Sequence, residues 1–337
     1  MERVLLSTLG GCGTSSRSHA HRPMDLRDLD HRTLWLQANA IEKSTVKGYT
    51  TGARDYLKFC IIHSISTDPT PQTLSHYIAF TSCFIASGPK YLTGVRHFLH
   101  TLYPVFDSNC SDPLVKSVIC GSRKIRADLI SRKLPLRLHH LSTFLFRAVS
   151  SQSYDDLLFI TILSCSFYGC HRIGELVQKN DKFLFNWRKI IKHASLIFSD
   201  HRAQYCLPYH KSDLFYHGTD ILFTSQDIVD PVTLLADYVA HHNKLHGATA
   251  SLFLCEDGSQ PTCSWFDAKF FSLLDHSFRG HSARAGGATF YACLGLSEDV
   301  IQALSHWSSS AWKTYIRENP IICAELQLAA IRLLQCH

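Results

Sequence analysis

The sequence predicts a mainly α-helical protein that carries one small antiparallel β-sheet. Apolar residues recur at helical spacing through most of the 337 residues. Three short segments in the second half are instead rich in β-branched and aromatic residues, as is typical of strands. A proline and a run of basic charge near position 130 interrupt the helical pattern. A chain of this length and pattern is expected to form two domains, each with its own hydrophobic core.

The first part is predicted to be a bundle of four amphipathic helices. Ser44 is suited to cap the first helix, Pro71 suits the first turn of the second, and Pro89 opens the third. Asp112 followed by Pro113 is a cap-plus-first-turn signature for the fourth. Short connections between such helices favour a compact bundle. We expect a disordered leader at 1–30, with a transit-like tail as the alternative, then a helical domain at 31–129 and a linker at 130–137.

The second part, residues 138–337, is predicted to be a mostly helical domain around the small sheet. Two apolar helices open it, around 138–150 and 154–169, and Gly169 is suited to end the second. The predicted strands are 194–199, 204–209 and 219–224. Helices resume at Asp230–Pro231 and at Ser264, each with a capping residue, and continue at 281–294, 297–304, 310–317 and 320–335.

Composition excludes several classes of protein. With 45% hydrophobic and 18% charged residues the chain is typical of an ordered globular protein, and it has no uninterrupted apolar run long enough to span a membrane. Thirteen cysteines, an odd number without regular spacing, argue against a secreted disulfide framework and favour a reducing, intracellular location, which we expect to be the nucleus. Neither Cys60 with His63 nor Cys170 with His171 has a second paired half at finger spacing, so no zinc is expected.

The positive charge is concentrated in one stretch. The net charge is +6, and residues 116–137 form the densest basic segment of the chain, with a single acid, Asp128. Clustered lysine and arginine release counterions when they meet nucleic acid, so this segment predicts a surface that follows DNA phosphates. A solvated helix face followed by a linker is the alternative interpretation. The candidate DNA-binding residues are Lys116, Arg123, Lys124, Arg126, Arg132 and Lys133.

Four stretches carry polar residues in an unusual setting. GHSARAGGAT places His281 and Arg284 three residues apart, and therefore on the same face of a helix. Polar side chains among glycines and alanines make poor core but a good anion clamp. The other three stretches are YGCHRIGEL, with Arg172 and Glu175; LPYHKSD, with Lys211; and LSHWSSSAWKTYIRENP, with His306 and Tyr315.

The order and spacing of these residues resemble those of the tyrosine recombinases, which break and rejoin DNA. The family pattern is an arginine shortly after a glycine with an acid three residues on, a lysine on a hairpin, a His-x-x-Arg box, a His or Trp, and a tyrosine nine residues later. One departure is that Gly169 precedes Arg172 by three residues, where many members have two. The resemblance spans most of the chain and is strongest to recombinases of eukaryotic Crypton- and DIRS-type mobile elements.

The resemblance implies a role for each residue. Arg172 and Arg284 would bind the non-bridging oxygens of the scissile phosphate, because a planar guanidinium offers two donors to one anion. His281 and His306 would add donors, and His281 is also the candidate to accept the proton of the nucleophile, Tyr315. Lys211 would protonate the leaving 5′-oxygen, and Glu175 would orient Arg172. The cationic side chains would do the work of a metal ion, so no cofactor is expected.

Several alternatives remain open at this stage. Arg172 and Glu175 also suit an ordinary surface ion pair. Lys189 and Lys192 could replace Lys211, His306 could only pack beside Trp307, and Tyr205 and Tyr291 compete with Tyr315. The whole chain could instead be a DNA-binding protein that no longer cuts, or a type IB topoisomerase. The expected partner is double-stranded DNA, and the helix at 320–335 either packs on its own domain or couples subunits of a dimer or tetramer.

Overall fold

The computed structural model describes residues 24–126, 133–210, 213, 215–247 and 249–304. The chain divides into two compact units between Asp128 and Leu129. Within the described residues the first unit is helical, and the second combines helices with one three-stranded sheet. The fold class predicted from the sequence is therefore confirmed. In the part of the chain that is described, no helix is long and apolar enough to cross a bilayer.

Within residues 24–126, the first unit contains the four predicted helices and two more. The additional ones are α1, Leu26–Ala38, and the short α5, Phe106–Cys110. The N-terminal boundary of structure differs from the prediction, because Asp25 caps α1 by accepting a hydrogen bond from the Arg27 N–H, so that the helix starts inside the predicted leader. The second helix begins at Lys43 after Glu42, and Ser44, the predicted cap, lies inside it. The bounds are α1 Leu26–Ala38, α2 Lys43–Ile62, α3 Pro71–Ser82, α4 Gly88–Leu99, α5 Phe106–Cys110 and α6 Pro113–Ile125.

The core of the first unit depends on the close approach of α2 and α4. A Cβ added at Gly52 would lie 2.7 Å from the Tyr91 carbonyl oxygen, and one added at Gly94 would lie 2.3 Å from the Tyr49 carbonyl oxygen. Glycine on both helices thus lets the two backbones meet. Beside this contact, α3 and α6 pack on the same apolar cluster. The buried members of the cluster are Tyr56, Phe59, Cys60, Leu74, Tyr77, Ile78, Leu92, Val95, Phe106 and Val115.

The second unit follows the predicted order of helices and strands. Asp230 caps one helix by accepting from the N–H groups of Val232 and Thr233, as expected. The helix predicted from Ser264 is capped by Thr262 instead. The predicted helices at 310–317 and 320–335 lie outside the described residues. The bounds are α7 Leu138–Ser151, α8 Tyr154–Tyr168, α9 Ile173–Leu176, β1 Ile197–Ser199, β2 Arg202–Leu207, β3 Thr219–Thr224, α10 Pro231–His246, α11 Cys263–Phe270, α12 His281–Cys293 and α13 Glu298–Leu304.

The sheet is antiparallel with the order β1-β2-β3. In its register Tyr205 of β2 pairs with Ile221 of β3, and Leu207 pairs with Thr219 at the end where the β2–β3 turn begins. Alternate residues of β2 are buried, namely Ala203, Tyr205 and Leu207. One face of the strand therefore points into the core, as expected for a half-buried antiparallel strand.

The helix α8 is the centre of the second unit. Every residue from Leu158 to Tyr168 is buried, because α7, α10 and α12 all pack around it. The helix α12 comes so close to α8 that a Cβ at Gly287 would lie 1.9 Å from the Phe167 carbonyl oxygen. A Cβ at Gly286 would lie 2.5 Å from the Leu136 carbonyl oxygen. Gly287 of the GHSARAGGAT stretch thus lets α12 pack on α8, and Gly286 makes room for the backbone of Leu136.

The C-terminal end of the predicted linker belongs to the second unit. The Leu134 N–H donates to the Ser277 carbonyl at 2.9 Å, and the Leu136 N–H donates to the Ser282 carbonyl at 2.9 Å. The Leu136 side chain is fully buried. Residues 133–137 therefore lie along the loop and helix start that carry His281 and Arg284.

Candidate active site

A tight turn at the end of α8 sets the position of Arg172. The Cys170 N–H donates to the Phe167 carbonyl at 3.2 Å, and the His171 N–H donates to the Ser166 carbonyl at 2.9 Å. Cys170 itself has a φ of +48°. This is the Schellman arrangement, in which a left-handed residue ends a helix. The turn makes Arg172 the first residue beyond it and the N-terminal cap of the short helix α9.

Two guanidinium groups meet at the carboxylate of Glu175. The Arg172 N–H donates to Glu175 Oε2 at 2.9 Å, and Arg172 Nη1 donates to Oε1 at 2.8 Å. Arg284 Nη1 lies 4.0 Å from Oε2 of the same carboxylate. Arg172 and Arg284 stand on different helices and far apart in the sequence, so Glu175 joins them into one cationic centre.

Burial and charge act in opposite directions on Glu175. Burial of its carboxyl raises the pKa, but the nearby His171 and the hydrogen bonds and charge of Arg172 lower it, and the net pKa lies below the ordinary value for glutamate. The carboxylate therefore stays ionised at neutral pH. An ionised Glu175 suits the role that the resemblance implies for it, which is to orient Arg172, and it has no proton to give as an acid.

His171 and Tyr205 extend this centre into the core, and the sequence did not single them out for it. His171 Nδ1 lies 3.8 Å from Glu175 Oε2, and His171 Nε2 lies 3.0 Å from the Tyr205 hydroxyl. Both side chains are buried. The ring of His171 thus connects strand β2 with the carboxylate that holds both arginines. The four-residue spacing of His171 and Glu175 is the one signal in the sequence that could have indicated their contact.

The His-x-x-Arg box runs from the surface into the interior. His281 is the first residue of α12 and is exposed, whereas Arg284, one turn further, is only 2% exposed. The start of the helix is fixed by Ser282, whose hydroxyl accepts a hydrogen bond from the Arg279 N–H at 2.9 Å. His281 and Arg284 share a face, as predicted from their spacing. The arginine forms the base of the candidate site and the histidine lies nearer to solvent.

The lysine of the predicted site lies outside the described residues, but the turn that carries it is partly described. Asp213 shapes this turn, because its carboxylate accepts hydrogen bonds from the N–H groups of Phe215 and Gly218. Gly218 has a φ of +76°, which glycine adopts without strain. The competing Lys189 places its Nζ 3.9 Å from the Tyr209 ring centre, and Lys192 Nζ lies 3.5 Å from the Trp187 carbonyl oxygen. Lys211 stays a prediction.

The predicted nucleophile Tyr315 and the predicted donor His306 also lie outside the described residues and stay predictions. The two competing tyrosines are described. Tyr205 is fully buried against His171, and burial raises the pKa of its hydroxyl well above the ordinary value. Tyr291 donates to the Tyr168 carbonyl at 2.8 Å, and burial raises the pKa of its hydroxyl too. Both hydroxyls are therefore held in structural contacts that disfavour attack on a DNA phosphate.

The predicted DNA-binding residues divide into three groups. Lys116, Arg123 and Lys124 are exposed on α6 of the first unit and line one shallow groove there. Arg126 instead donates through Nε to the Ser82 carbonyl at the end of α3. In the second unit Lys133 Nζ donates to the His276 carbonyl at 2.7 Å. Arg132 lies outside the described residues. The structure thus keeps three of these side chains available on one helix and engages two others in internal contacts.

Comparison with known proteins gives a likeness of fold. No protein-family model and no curated protein sequence matches the chain. The Tn1549 transposon integrase, determined in complex with transposon right-end DNA, aligns with a TM-score of 0.52 and 12% identity over 87% of this chain and 94% of that one. The XerH site-specific recombinase, determined bound to palindromic difH substrate after cleavage, aligns with a TM-score of 0.51 and 11% identity over 77% of this chain and 72% of that one.

These similarities define the class to which the fold belongs. The mostly helical second unit with its small antiparallel sheet has the fold of a tyrosine recombinase catalytic domain. The likeness extends over most of both solved chains, so it is not confined to one motif. At 11% and 12% identity it concerns the fold alone.

Proposed function

We propose that the protein is a tyrosine recombinase that breaks and rejoins DNA, of the kind encoded by eukaryotic Crypton- or DIRS-type mobile elements. One observation carries the proposal: the Glu175 carboxylate holds guanidinium groups from two distant parts of the chain, Arg172 at 2.8 Å and Arg284 at 4.0 Å. Two fixed cations at one point are suited to a phosphate whose negative charge grows during attack. The fold of the second unit supports the same function.

The reaction would be a transesterification without net hydrolysis. The Tyr315 oxygen attacks the phosphorus, the bond from phosphorus to the 5′-oxygen breaks, and a 3′-phosphotyrosyl bond forms. His281 takes the phenol proton, and Lys211 gives a proton to the departing 5′-oxygen. A 5′-hydroxyl of another strand then attacks the phosphotyrosyl bond and regenerates Tyr315. Since each step exchanges one ester for another, strands can be exchanged without ATP.

The arginines would differ in how they contribute. Arg172 keeps 26% of its side chain exposed, so its fork can turn toward an incoming phosphate while its N–H stays bonded to Glu175. Arg284 is almost completely buried and would act on the phosphate from the interior side of the site, as a fixed positive charge. A lysine at either position would supply charge without the planar pair of donors.

The decisive experiment uses a DNA duplex from a candidate element end, with a nick close to the cleavage point so that the short fragment carrying the released 5′-hydroxyl is lost. The wild-type protein should become trapped as a covalent adduct that survives a denaturing gel, and EDTA should not prevent this, because side chains supply the positive charge. Tyr315→Phe should bind the same DNA and give no adduct. Tyr291→Phe is the matched control, since it removes a hydroxyl that is bonded to Tyr168.

The two tyrosine variants separate the outcomes. An adduct formed by Tyr315→Phe would show that another residue is the nucleophile. If the wild-type protein binds the DNA of its own element ends and forms no adduct there, the alternative of a DNA-binding protein that no longer cuts would be favoured.

The proposal includes assembly as a dimer or tetramer on DNA, through the segment 320–335, and a location in the nucleus.

A further inference from the structure

Three large aromatic side chains are exposed around the β2–β3 turn of the second unit. Phe183 is 87% exposed, Trp187 is 63% exposed and Phe215 is 79% exposed. Phe183 and Trp187 belong to the segment before the sheet, and Phe215 belongs to the turn between β2 and β3. Exposure of three such rings in two neighbouring segments is costly in water and points to a ligand that covers them.

Direct contacts join the two segments into one surface. Asn186 Nδ2 donates to the Tyr216 hydroxyl at 3.3 Å. Lys189 Nζ lies 3.9 Å from the Tyr209 ring centre and 5.9 Å from that of Tyr216, and the two tyrosine rings are 5.0 Å apart. Residues 183–189 and the described residues Tyr209, Phe215 and Tyr216 therefore form one aromatic surface. We call it the aromatic platform, with Phe183, Trp187 and Phe215 as its exposed rings.

The charges around the aromatic platform are mostly positive. Lys182, Arg188 and Lys192 are exposed beside it. The two nearby acids are engaged in shaping the backbone: Asp181 Oδ1 accepts from the Phe183 N–H at 3.1 Å, and Asp213 accepts from the N–H groups of Phe215 and Gly218. Exposed rings among lysines and arginines are the pattern with which proteins bind single-stranded nucleic acid, bases stacking on the rings and cations following the phosphates.

We propose that the aromatic platform binds unpaired bases of single-stranded DNA. In a duplex the faces of the bases are already stacked on one another, so exposed rings gain little from it; bases released from pairing can stack on the rings. This proposal rests on the proposed function for its place in the reaction. Exchange of cleaved strands would leave bases unpaired near the cleaved bond, where Lys211 of the β2–β3 turn is proposed to act. Trp187 and Phe215 would hold such bases while the strand passes to its new partner.

The test measures binding of a fluorescein-labelled oligothymidine and of a duplex of equal length by anisotropy, with the full chain. Trp187→Ala should weaken oligothymidine binding by about fivefold or more, and the double variant Trp187→Ala with Phe215→Ala by about thirtyfold or more, while duplex affinity changes less than twofold. Stacking should also quench the fluorescence of Trp187 as oligothymidine is added, and Trp187→Phe should remove that component of the signal.

Phe146→Ala is the matched control, because Phe146 is 74% exposed on α7 outside the aromatic platform. It should leave oligothymidine binding unchanged. Equal losses for single strand and duplex, or no loss with the double variant, would overturn the proposal, as would sedimentation showing that a second copy of the chain covers the rings. The outcome is independent of the covalent step. If the wild-type protein forms the adduct but the double variant binds oligothymidine as well as the wild type does, only the aromatic platform is refuted. If the double variant loses oligothymidine binding but the wild-type protein forms no adduct, only the recombinase function is refuted.

Discussion

At the scale of single residues, the most informative position is Glu175. Its carboxylate is the common partner of an arginine that is 26% exposed and of one that is 2% exposed, and it contacts His171 as well. A buried arginine without a counter-charge is costly. Glu175 therefore contributes both to the stability of the second unit and to the orientation of the groups proposed to hold a phosphate.

Replacing Glu175 with glutamine keeps the size of the side chain and removes its charge. We expect Glu175→Gln to lower the free energy of unfolding by about 2 kcal/mol at pH 7, measured by urea denaturation. Asp107→Asn is the control, since Asp107 pairs with Arg96 at 2.6 Å but both side chains are more than half exposed, and it should have little effect. A similar loss of unfolding free energy in both variants would mean that the buried Glu175 carboxylate contributes no more to stability than an exposed one.

The contribution of Glu175 to the free energy of unfolding is expected to depend on pH. Because the folded pKa of Glu175 lies below its ordinary value of 4.5, its contribution to stability is fully present above that pH. It is lost as the pH falls through the lowered pKa. The stability difference between the wild type and Glu175→Gln should therefore stay constant from pH 7 to about pH 5 and narrow below pH 4.5. A difference that widens in acid would contradict the assignment.

At the scale of elements, the contact between α8 and α12 carries the site. The first element ends in the turn that presents Arg172, and the second carries His281 and Arg284. The distance between the two helices is set by Gly287, whose added Cβ would lie 1.9 Å from the Phe167 carbonyl oxygen. The Phe167 carbonyl oxygen belongs to the backbone and cannot move aside as a flexible side chain could. A side chain at position 287 would therefore force α12 to shift away from α8.

Gly287→Ala should therefore destabilise the protein by about 3 kcal/mol and, in the adduct assay, reduce cleavage, because it moves Arg284 relative to Arg172. The matched control is Gly121→Ala in α6, where an added Cβ meets nothing within 4 Å. Alanine is the better helix former, so this variant should stabilise the protein by about 0.5 to 1 kcal/mol. Thermal unfolding of the two variants measures the expected loss of stability in Gly287→Ala and the expected gain in Gly121→Ala.

The basic face of α6 is the second element whose role can be tested. Changing Lys116, Arg123 and Lys124 together to glutamine should reduce the slope of log affinity for duplex DNA against log salt by about 2 to 3, as expected for lost phosphate contacts. Arg126 is left intact, because it donates to the Ser82 carbonyl and its removal would disturb packing. An unchanged slope would mean that the groove does not face DNA.

The control for α6 uses three exposed lysines of α2, Lys43, Lys47 and Lys58, which carry the same charge in the same unit. Their replacement by glutamine should leave the slope nearly unchanged. An equal decrease in the two triple variants would indicate that the affinity follows the net charge of the unit and not a defined surface.

The elements of this fold could largely be predicted from local signals. Pro71, the pair Asp112–Pro113 and the pair Asp230–Pro231 all lie where capping chemistry places them, because caps act through neighbouring N–H groups. Ser44 fails as a cap, since the helix already begins at Lys43. Local chemistry thus predicts that an element exists more reliably than it predicts where the element begins.

The partners of single side chains could not be predicted in the same way. The sequence does not indicate what lies against Gly286 and Gly287, and only the structure places the Leu136 carbonyl at the first and the Phe167 carbonyl of α8 at the second. His171 appeared as an incomplete zinc motif, because its contact with Tyr205 crosses from the turn to strand β2. Contacts between distant segments depend on tertiary packing, which no spacing within one segment encodes.

At the scale of the whole molecule, each of the two units has one large hydrophobic core among the described residues, from Tyr56 to Val115 in the first and from Leu136 to Ala283 in the second. A small further cluster of Cys170, Ala288 and Ile301 lies in the second unit. Two units whose large cores share no residue are expected to unfold in more than one cooperative step. Each unit should therefore have its own melting transition.

Calorimetry of the full chain should resolve two transitions that respond to different substitutions. Gly121→Ala, in α6, should raise only the transition of the first unit, whereas Gly287→Ala, in α12, should lower only that of the second. Glu175→Gln should move the same transition as Gly287→Ala, because Glu175 and α12 belong to one unit. If all three substitutions shift a single common transition, the two units unfold together, and a substitution in the first unit also changes the stability of the proposed phosphate-binding centre in the second.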